Sequence, residues 1–143
     1  RVELEAKAYL PHIFISNDQV RLEIYHRLSQ ISNLAGINDI RNELRDRFGP
    51  IPEPLENLLK MFIIRLLGNK MQFQRIIQKG SRYFLYFSPN ADISPEKLSS
   101  LLDVLPCKAH IQYDKNVAIV LELGDNSPDD NLQTLINTLN ENY

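Results

Sequence analysis

"LENLLKMFIIRLLGNKMQFQRIIQKGSRYFLYF", residues 55–87, changes its hydrophobic period near the middle, and that change decides the fold. Leu55, Leu58, Leu59, Phe62, Ile63, Leu66 and Leu67 recur at the three- and four-residue spacings of one helix face. They make this the most apolar helix of the chain and place it at the centre. Pro52 and Pro54 mark its start, because first-turn amides have no intrahelical partner for a proline to remove. Beyond Met71 the pattern becomes that of strands: residues 73–78 and 81–87, joined by Lys79-Gly80, predict a hairpin.

Working outward, Val2, Leu4, Ala6 and Ala8 alternate with Glu3, Glu5 and Lys7, the period of a half-buried strand, which Pro11 ends. Ser16, Asn17 and Asp18 offer N-caps to a helix whose stripe is Val20, Ile24, Leu28 and Ile31, broken near Gly36. Asn38 or Asp39 predicts the cap of a second helix carrying Ile40, Leu44 and Phe48, with Gly49 as its left-handed end and Pro50 as its stop. Downstream, "SPEKLSSLLDVL" (94–105) and "SPDDNLQTLINTL" (127–139) share one start signal: a serine cap, proline at the first helical position, an acid in the first turn. Residues 109–113 and 117–123 form a hairpin between them. The fold class is therefore α+β: an N-terminal strand and three helices, then two strand-strand-helix units forming a small antiparallel sheet covered by helices. Residues 1–143 make one domain, helical over about 1–71 and mixed over about 72–143.

Composition excludes several classes. Hydrophobic residues are 43% and charged ones 24%, ordinary for a globular chain, and no apolar run approaches the ~18 residues of a spanning helix. The chain opens on Arg1 with neither methionine nor a charged-then-apolar leader, as expected of a piece of something longer. Cys107 is the single cysteine, so no internal disulfide forms and a reducing, cytoplasmic setting is the simpler expectation. With His110 it makes only a C-x-x-H pair, short of the four ligands of a closed zinc site, and a buried structural cysteine is expected.

Catalytic signatures are equally absent. The five glycines are scattered, so no phosphate-cradling loop exists, and there is no G-x-S-x-G or H-E-x-x-H motif. The chain reads as no enzyme and binds no metal or cofactor. Its net charge of −2 hides an uneven distribution: residues 1–91 hold 13 basic and 9 acidic side chains, residues 92–143 hold 3 and 9. Lys60, Arg65, Lys70, Arg75, Lys79 and Arg82 run without an intervening acid and lead into Tyr83, Phe84, Tyr86 and Phe87. Cations beside aromatics suit a nucleic-acid-binding module. The cations' spacing, however, spreads them over several faces, and Leu85 makes the strand apolar on both sides, the mark of core.

A charged flank in "ELRDRFG" (43–49) offers a different function. At about 100° per residue from Ile40, the buried stripe centres near roughly 40°, and Asp46, Glu43 and Arg47 fall near about 240°, 300° and 340°. Glu43 and Arg47 form an i, i+4 pair worth only about 0.2–0.5 kcal/mol on an exposed helix. The flank is either solvated surface or a docking face, where arginine is favoured because its fork pairs bidentately with carboxylates.

"AYLPHIFISNDQVRLEIYHRLS" from Ala8, followed by "ELRDRFGPIPEPLENLL" from Glu43, closely resembles the C-terminal domain of the bacterial transcription-repair coupling factor family, Mfd. The match covers roughly residues 2–78. It includes R-L-x-x-Y-x-R-L at Arg21, Leu22, Tyr25, Arg27 and Leu28, then E-L-x-D-R-F-G-x-x-P. Family members are ATP-driven double-stranded-DNA translocases that push stalled RNA polymerase off its template and recruit the excision-repair machinery. The resemblance implies a non-catalytic regulatory domain, with ATP and magnesium serving motor modules upstream. It implies that the domain packs on an N-terminal UvrB-like module, masks the UvrA-binding surface and restrains the motor. Contact with UvrA, RNA polymerase and DNA would then be indirect, through the full-length protein. By matching E-L-x-D-R, Glu43, Asp46 and Arg47 inherit the partner-binding role. Two positions depart from the family pattern. Gln72 stands where glycine is common, so the third helix must end without one, and Ile13-Phe14 replaces an acidic-aromatic pair.

Overall fold

The computed structural model describes residues 1–124 and 126–141 of the chain. In chain order the elements are β1 (Val2–Glu3), α1 (Asp18–Gln30), α2 (Leu34–Phe48), α3 (Glu53–Lys70), β2 (Phe73–Lys79), β3 (Arg82–Phe87), α4 (Pro95–Val104), β4 (Lys108–Tyr113), β5 (Val117–Glu122) and α5 (Pro128–Glu141). The strands form one sheet of order β1-β2-β3-β5-β4. Its β2/β3, β3/β5 and β4/β5 pairs are antiparallel, as two strand-strand-helix units require, whereas β1 adds a parallel edge beside β2. The architecture is thus α+β with a mixed five-stranded sheet. No helix among the described residues is long and apolar enough to cross a membrane.

The N-terminal strand is shorter than its alternation predicts. Only Val2 and Glu3 join the ladder, opposite Ile76 and Ile77. In-and-out burial nevertheless continues to Ala8. The reason is a change of bonding partner from backbone to side chain. The Glu5 N–H donates to Gln78 Oε1 at 2.9 Å, Gln78 Nε2 donates to Glu5 Oε2 at 3.3 Å, and the Gly80 N–H donates to Glu5 Oε1 at 3.1 Å. Gln78, nearly buried, therefore satisfies its amide by holding the chain that covers it.

Helix starts follow the capping signals in four cases and fail in one. Asn17 accepts from the Val20 N–H, Ser94 from the Lys97 N–H and Ser127 from the Asp130 N–H, while α3 starts on its prolines. The start of α2 is a correction: its cap is Asn33, which accepts from the Gly36 N–H at 2.8 Å, and not Asn38 or Asp39. Gly36 lies inside the helix that it was expected to precede. It is needed for close approach, since a Cβ there would sit 2.8 Å from Ile31 Cγ2. At the other end Gly49 takes φ +97°, as expected of the terminating glycine.

α3 is the spine of the molecule. Leu55, Leu58, Leu59 and Leu66 enter a helical core with Leu10, Ile24, Leu28, Ile37, Ile40 and Leu44. Ile64 and Leu67 enter a second core with Tyr83, Leu85, Ile119 and Leu121 of the sheet and Leu98, Leu132 and Leu135 of α4 and α5. Asn57, 3% exposed, ties three segments together by donating to the Lys7 carbonyl at 3.1 Å and to Asp129 Oδ1 at 2.9 Å. The missing glycine after α3 is met directly: among the described residues, Gln72 is the non-glycine residue at positive φ, 68°. Its side chain compensates, as Oε1 accepts from the Asp92 N–H at 2.8 Å and its carbonyl accepts from Ser88 N–H at 2.8 Å.

Candidate functional site

The E-L-x-D-R helix end is built on α1 and on the N-terminal segment, and the arginines and tyrosine of the R-L-x-x-Y-x-R-L motif have separate tasks. Arg21 donates to the carbonyls of Leu10 and, at 3.3 Å, Ile15. Tyr25 Oη accepts from the Leu10 N–H at 3.0 Å. Together they fix the segment leading into α1, whose Phe14 ring packs on Phe48 at 5.6 Å. Leu28 is buried and Leu22 is 69% exposed. Arg27, one turn from the end of α1, reaches across to α2.

Arg27 clasps Glu43 with both arms of its fork: Nη1 donates to Oε2 at 2.6 Å and Nη2 to Oε1 at 2.7 Å. Arg47 Nη1 donates to the same Oε2 at 3.0 Å, and its guanidinium lies 4.9 Å above the Phe48 ring. One carboxylate thus fixes two arginines from two helices. Glu43 is held down to a pKa of about 2, first by the Arg27 hydrogen bonds and then by Arg47, against the opposing effect of its burial. Arg27 is pushed above its ordinary value by the same bond. Asp46 is exposed beside this clasp and makes no hydrogen bond or ion pair among the described residues.

The structure therefore brings Glu43 and Arg47 together and leaves Asp46 free on the same helix, but it assigns them different work. Glu43 is spent internally, as the keystone of the clasp. Arg47 and Asp46 face solvent, and each guanidinium has N–H donors beyond those given to Glu43. Arg27 is the functional candidate that helical spacing on α2 could not find, because its partnership crosses between helices. A second bridge of the same kind, Arg41 Nη2 to Glu56 Oε1 at 2.7 Å, fixes α2 on α3.

The basic run of 60–82 does not form one surface. Lys60, Arg65 and Lys70 lie on α3, while Arg75, Lys79 and Arg82 lie on the sheet. Of the four aromatics expected in the core, Tyr83 and Phe87 are buried there, but Phe84 and Tyr86 point to the opposite side and are half-buried. Cys107 packs against the sheet core, where burial pushes its thiol upward. No cluster of three or more His, Cys, Asp or Glu among the described residues is placed to hold a metal ion.

Comparison with known proteins gives a consistent family. The TRCF domain profile matches residues 4–98. A transcription-repair-coupling factor of Haemophilus influenzae is 29% identical over 125 residues, 87% of this chain and 11% of that protein. One from Staphylococcus epidermidis is 34% identical over 99 residues, 68% of this chain and 8% of that protein. This chain thus spans about a tenth of the curated relatives' length. The fold matches a crystal structure of the C-terminal domain of transcription-repair coupling factor with TM-score 0.86 at 26% identity, covering 99% of this chain and 92% of that one. The likeness extends well beyond the residues 2–78 over which motifs are recognisable.

Proposed function

Because this chain belongs to the TRCF domain family, we propose that it is the regulatory C-terminal domain of a transcription-repair coupling factor and acts by docking on that protein's N-terminal UvrB-like module. Docking covers the UvrA-binding surface and restrains the ATP-driven motor until RNA polymerase and DNA are engaged. The chain itself does no chemistry in this scheme; ATP and magnesium belong to the motor modules, and the setting is cytoplasmic.

The clasp is the observation that carries the reading. Arg27 and Arg47 are held by one carboxylate on two rigid helices, so their remaining donors are aimed before any partner arrives. Preorganisation of this kind reduces the side-chain ordering cost that normally weakens a charged contact. Asp46 adds an acceptor next to them, so the face offers both signs and favours a partner with the complementary arrangement. In this scheme Arg27, Arg47 and Asp46 make the contact and Glu43 positions the two arginines.

Titration of the isolated UvrB-like module into this chain, followed by amide chemical shifts, tests the proposal. A flexible tether supplies an effective concentration of order millimolar, so the contact in trans needs a dissociation constant only somewhat below about 1 mM. Shifts confined to the end of α1 and the last two turns of α2 are expected. No shift there at millimolar module would overturn the docking face.

A further inference from the structure

Strand register divides the sheet into two unlike faces. Tyr83, Leu85, Ile119 and Leu121 alternate toward the helices and belong to the sheet-side core. The other face, carrying Phe84 and Tyr86 on the central strand β3, contributes to neither hydrophobic core. On this face the two rings lie nearly parallel, 16° apart in plane, with centroids 6.3 Å apart. Around them stand Arg75 and Lys79 from β2, Arg82 from β3 and Lys108 from β4. Four cations thus share this face with two strand carboxylates, Glu122 and, on the edge strand β1, Glu3, which is already paired with Arg1, in a chain whose overall charge is −2.

The cations are already poised on the rings. The Arg75 guanidinium lies 5.2 Å from the Tyr86 centroid and Lys79 Nζ lies 5.2 Å from that of Phe84. These contacts explain how the rings are half-buried on a face outside both cores. Arg82 is paired with Glu122 at 3.3 Å. Lys108 faces the same Glu122 across the β4/β5 ladder, and Arg75 and Lys79 form no ion pair with an acidic side chain among the described residues.

We propose that this face of the sheet binds single-stranded nucleic acid, with Phe84 and Tyr86 as the base-stacking platform and Arg75, Lys79 and Lys108 as phosphate partners. Two parallel rings on alternate residues of one strand can each take a base, whereas an extended acidic peptide would draw its affinity mainly from backbone pairing at a sheet edge. An exposed cation–π contact is weaker than a base–aromatic stack. An arriving base therefore displaces the cation from the ring, and the released cation meets the adjoining phosphate. The site is remote in the fold from the Arg27–Glu43–Arg47 clasp and does not depend on the docking proposal.

Fluorescence anisotropy of a labelled oligothymidylate of about ten nucleotides, titrated with this chain, provides the test. Saturable binding is expected, with log K falling against log salt at a slope of roughly −2, since three phosphate contacts contribute about 0.7 each. Replacing Phe84→Leu and Tyr86→Leu together keeps an apolar face but removes the stack; on the order of tenfold weaker binding is expected, with the slope unchanged. Replacing Lys79→Gln and Lys108→Gln, both exposed, lowers the slope by about 1.4 without changing Tm. Glu43→Gln leaves binding unaltered. Three results would overturn the proposal: no saturable binding, binding indifferent to both double substitutions, or a polyglutamate competitor equally sensitive to the leucine pair. The last would assign the face to an acidic protein segment.

Discussion

Replacing Glu43→Gln keeps the size of the side chain and one acceptor oxygen but removes the charge that holds Arg27 and Arg47 together. A folded-state pKa of about 2 against an ordinary 4.5 sets a ceiling near 3 kcal/mol for this carboxylate at neutral pH. The side chain is 35% exposed, however, and solvent screening brings the expected loss to about 1–1.5 kcal/mol. The sign follows from the depressed pKa: the stabilisation is complete above pH ~4.5, shrinks as pH falls below that and is lost as pH passes through about 2. For a chain of this length that corresponds to a drop in Tm of about 4 °C at pH 7 and about 1 °C at pH 2.5. Urea unfolding of the wild type and the variant across this range measures the difference. Combining it with Arg27→Met in a double-mutant cycle isolates the pair, with a coupling of about 1 kcal/mol expected at pH 7. A variant difference that stays constant from pH 7 to pH 2.5, or a coupling near zero, would refute the clasp.

Two further outcomes follow from local geometry. Gln72→Ala retains the left-handed backbone but loses the hydrogen bond to the Asp92 N–H, so a loss of about 1 kcal/mol is expected; Gln72→Gly relieves the backbone as it loses the bond and should be near neutral by chemical denaturation. Glu53 is raised above its ordinary pKa by its hydrogen bond with Asp129 and by that carboxylate's charge. The protonated form is favoured, so this contact stabilises at acid pH and the benefit is lost as pH rises through the raised pKa. Glu53→Gln, which donates at every pH, should raise Tm at pH 7 and leave it unchanged at pH 3.

Much of this architecture was legible because its signals are local. Asn17, Ser94 and Ser127 cap the helices that follow them through bonds to residues three positions away, and the shift of period after Met71 marks the junction of α3 and β2. The errors arose where a distant partner decides. Gly36 reads as a helix breaker, yet its missing Cβ admits Ile31, and α2 begins before it. Residues 4–8 have a strand's alternation, but Glu5 and Gln78 substitute side-chain bonds for the ladder. At the site, helical spacing correctly put Glu43, Asp46 and Arg47 on the flank of α2. It missed Arg27, sixteen residues before Glu43, although the R-L-x-x-Y-x-R-L motif already contained it. The two faces of β3 were equally hidden, because only pairing with β5 shows that Tyr83 and Phe84 belong to different environments.

The docking account is tested most directly by Asp46→Ala with Arg47→Ala in the full-length coupling factor, leaving Glu43 and Arg27 intact. Arg47 gives up one i, i+4 pair worth about 0.2–0.5 kcal/mol and an exposed cation–π contact with Phe48 worth about 0.5–1 kcal/mol, and alanine's helix propensity offsets part of this, so the isolated domain stays folded with its Tm within about 3 °C. Unpairing charges at a partly desolvated interface costs about 2–5 kcal/mol, enough to move a closed-to-open equilibrium by more than tenfold. UvrA affinity and basal ATP hydrolysis should therefore rise together. Both unchanged, with the domain still folded, would contradict the account and return this flank of α2 to solvated surface.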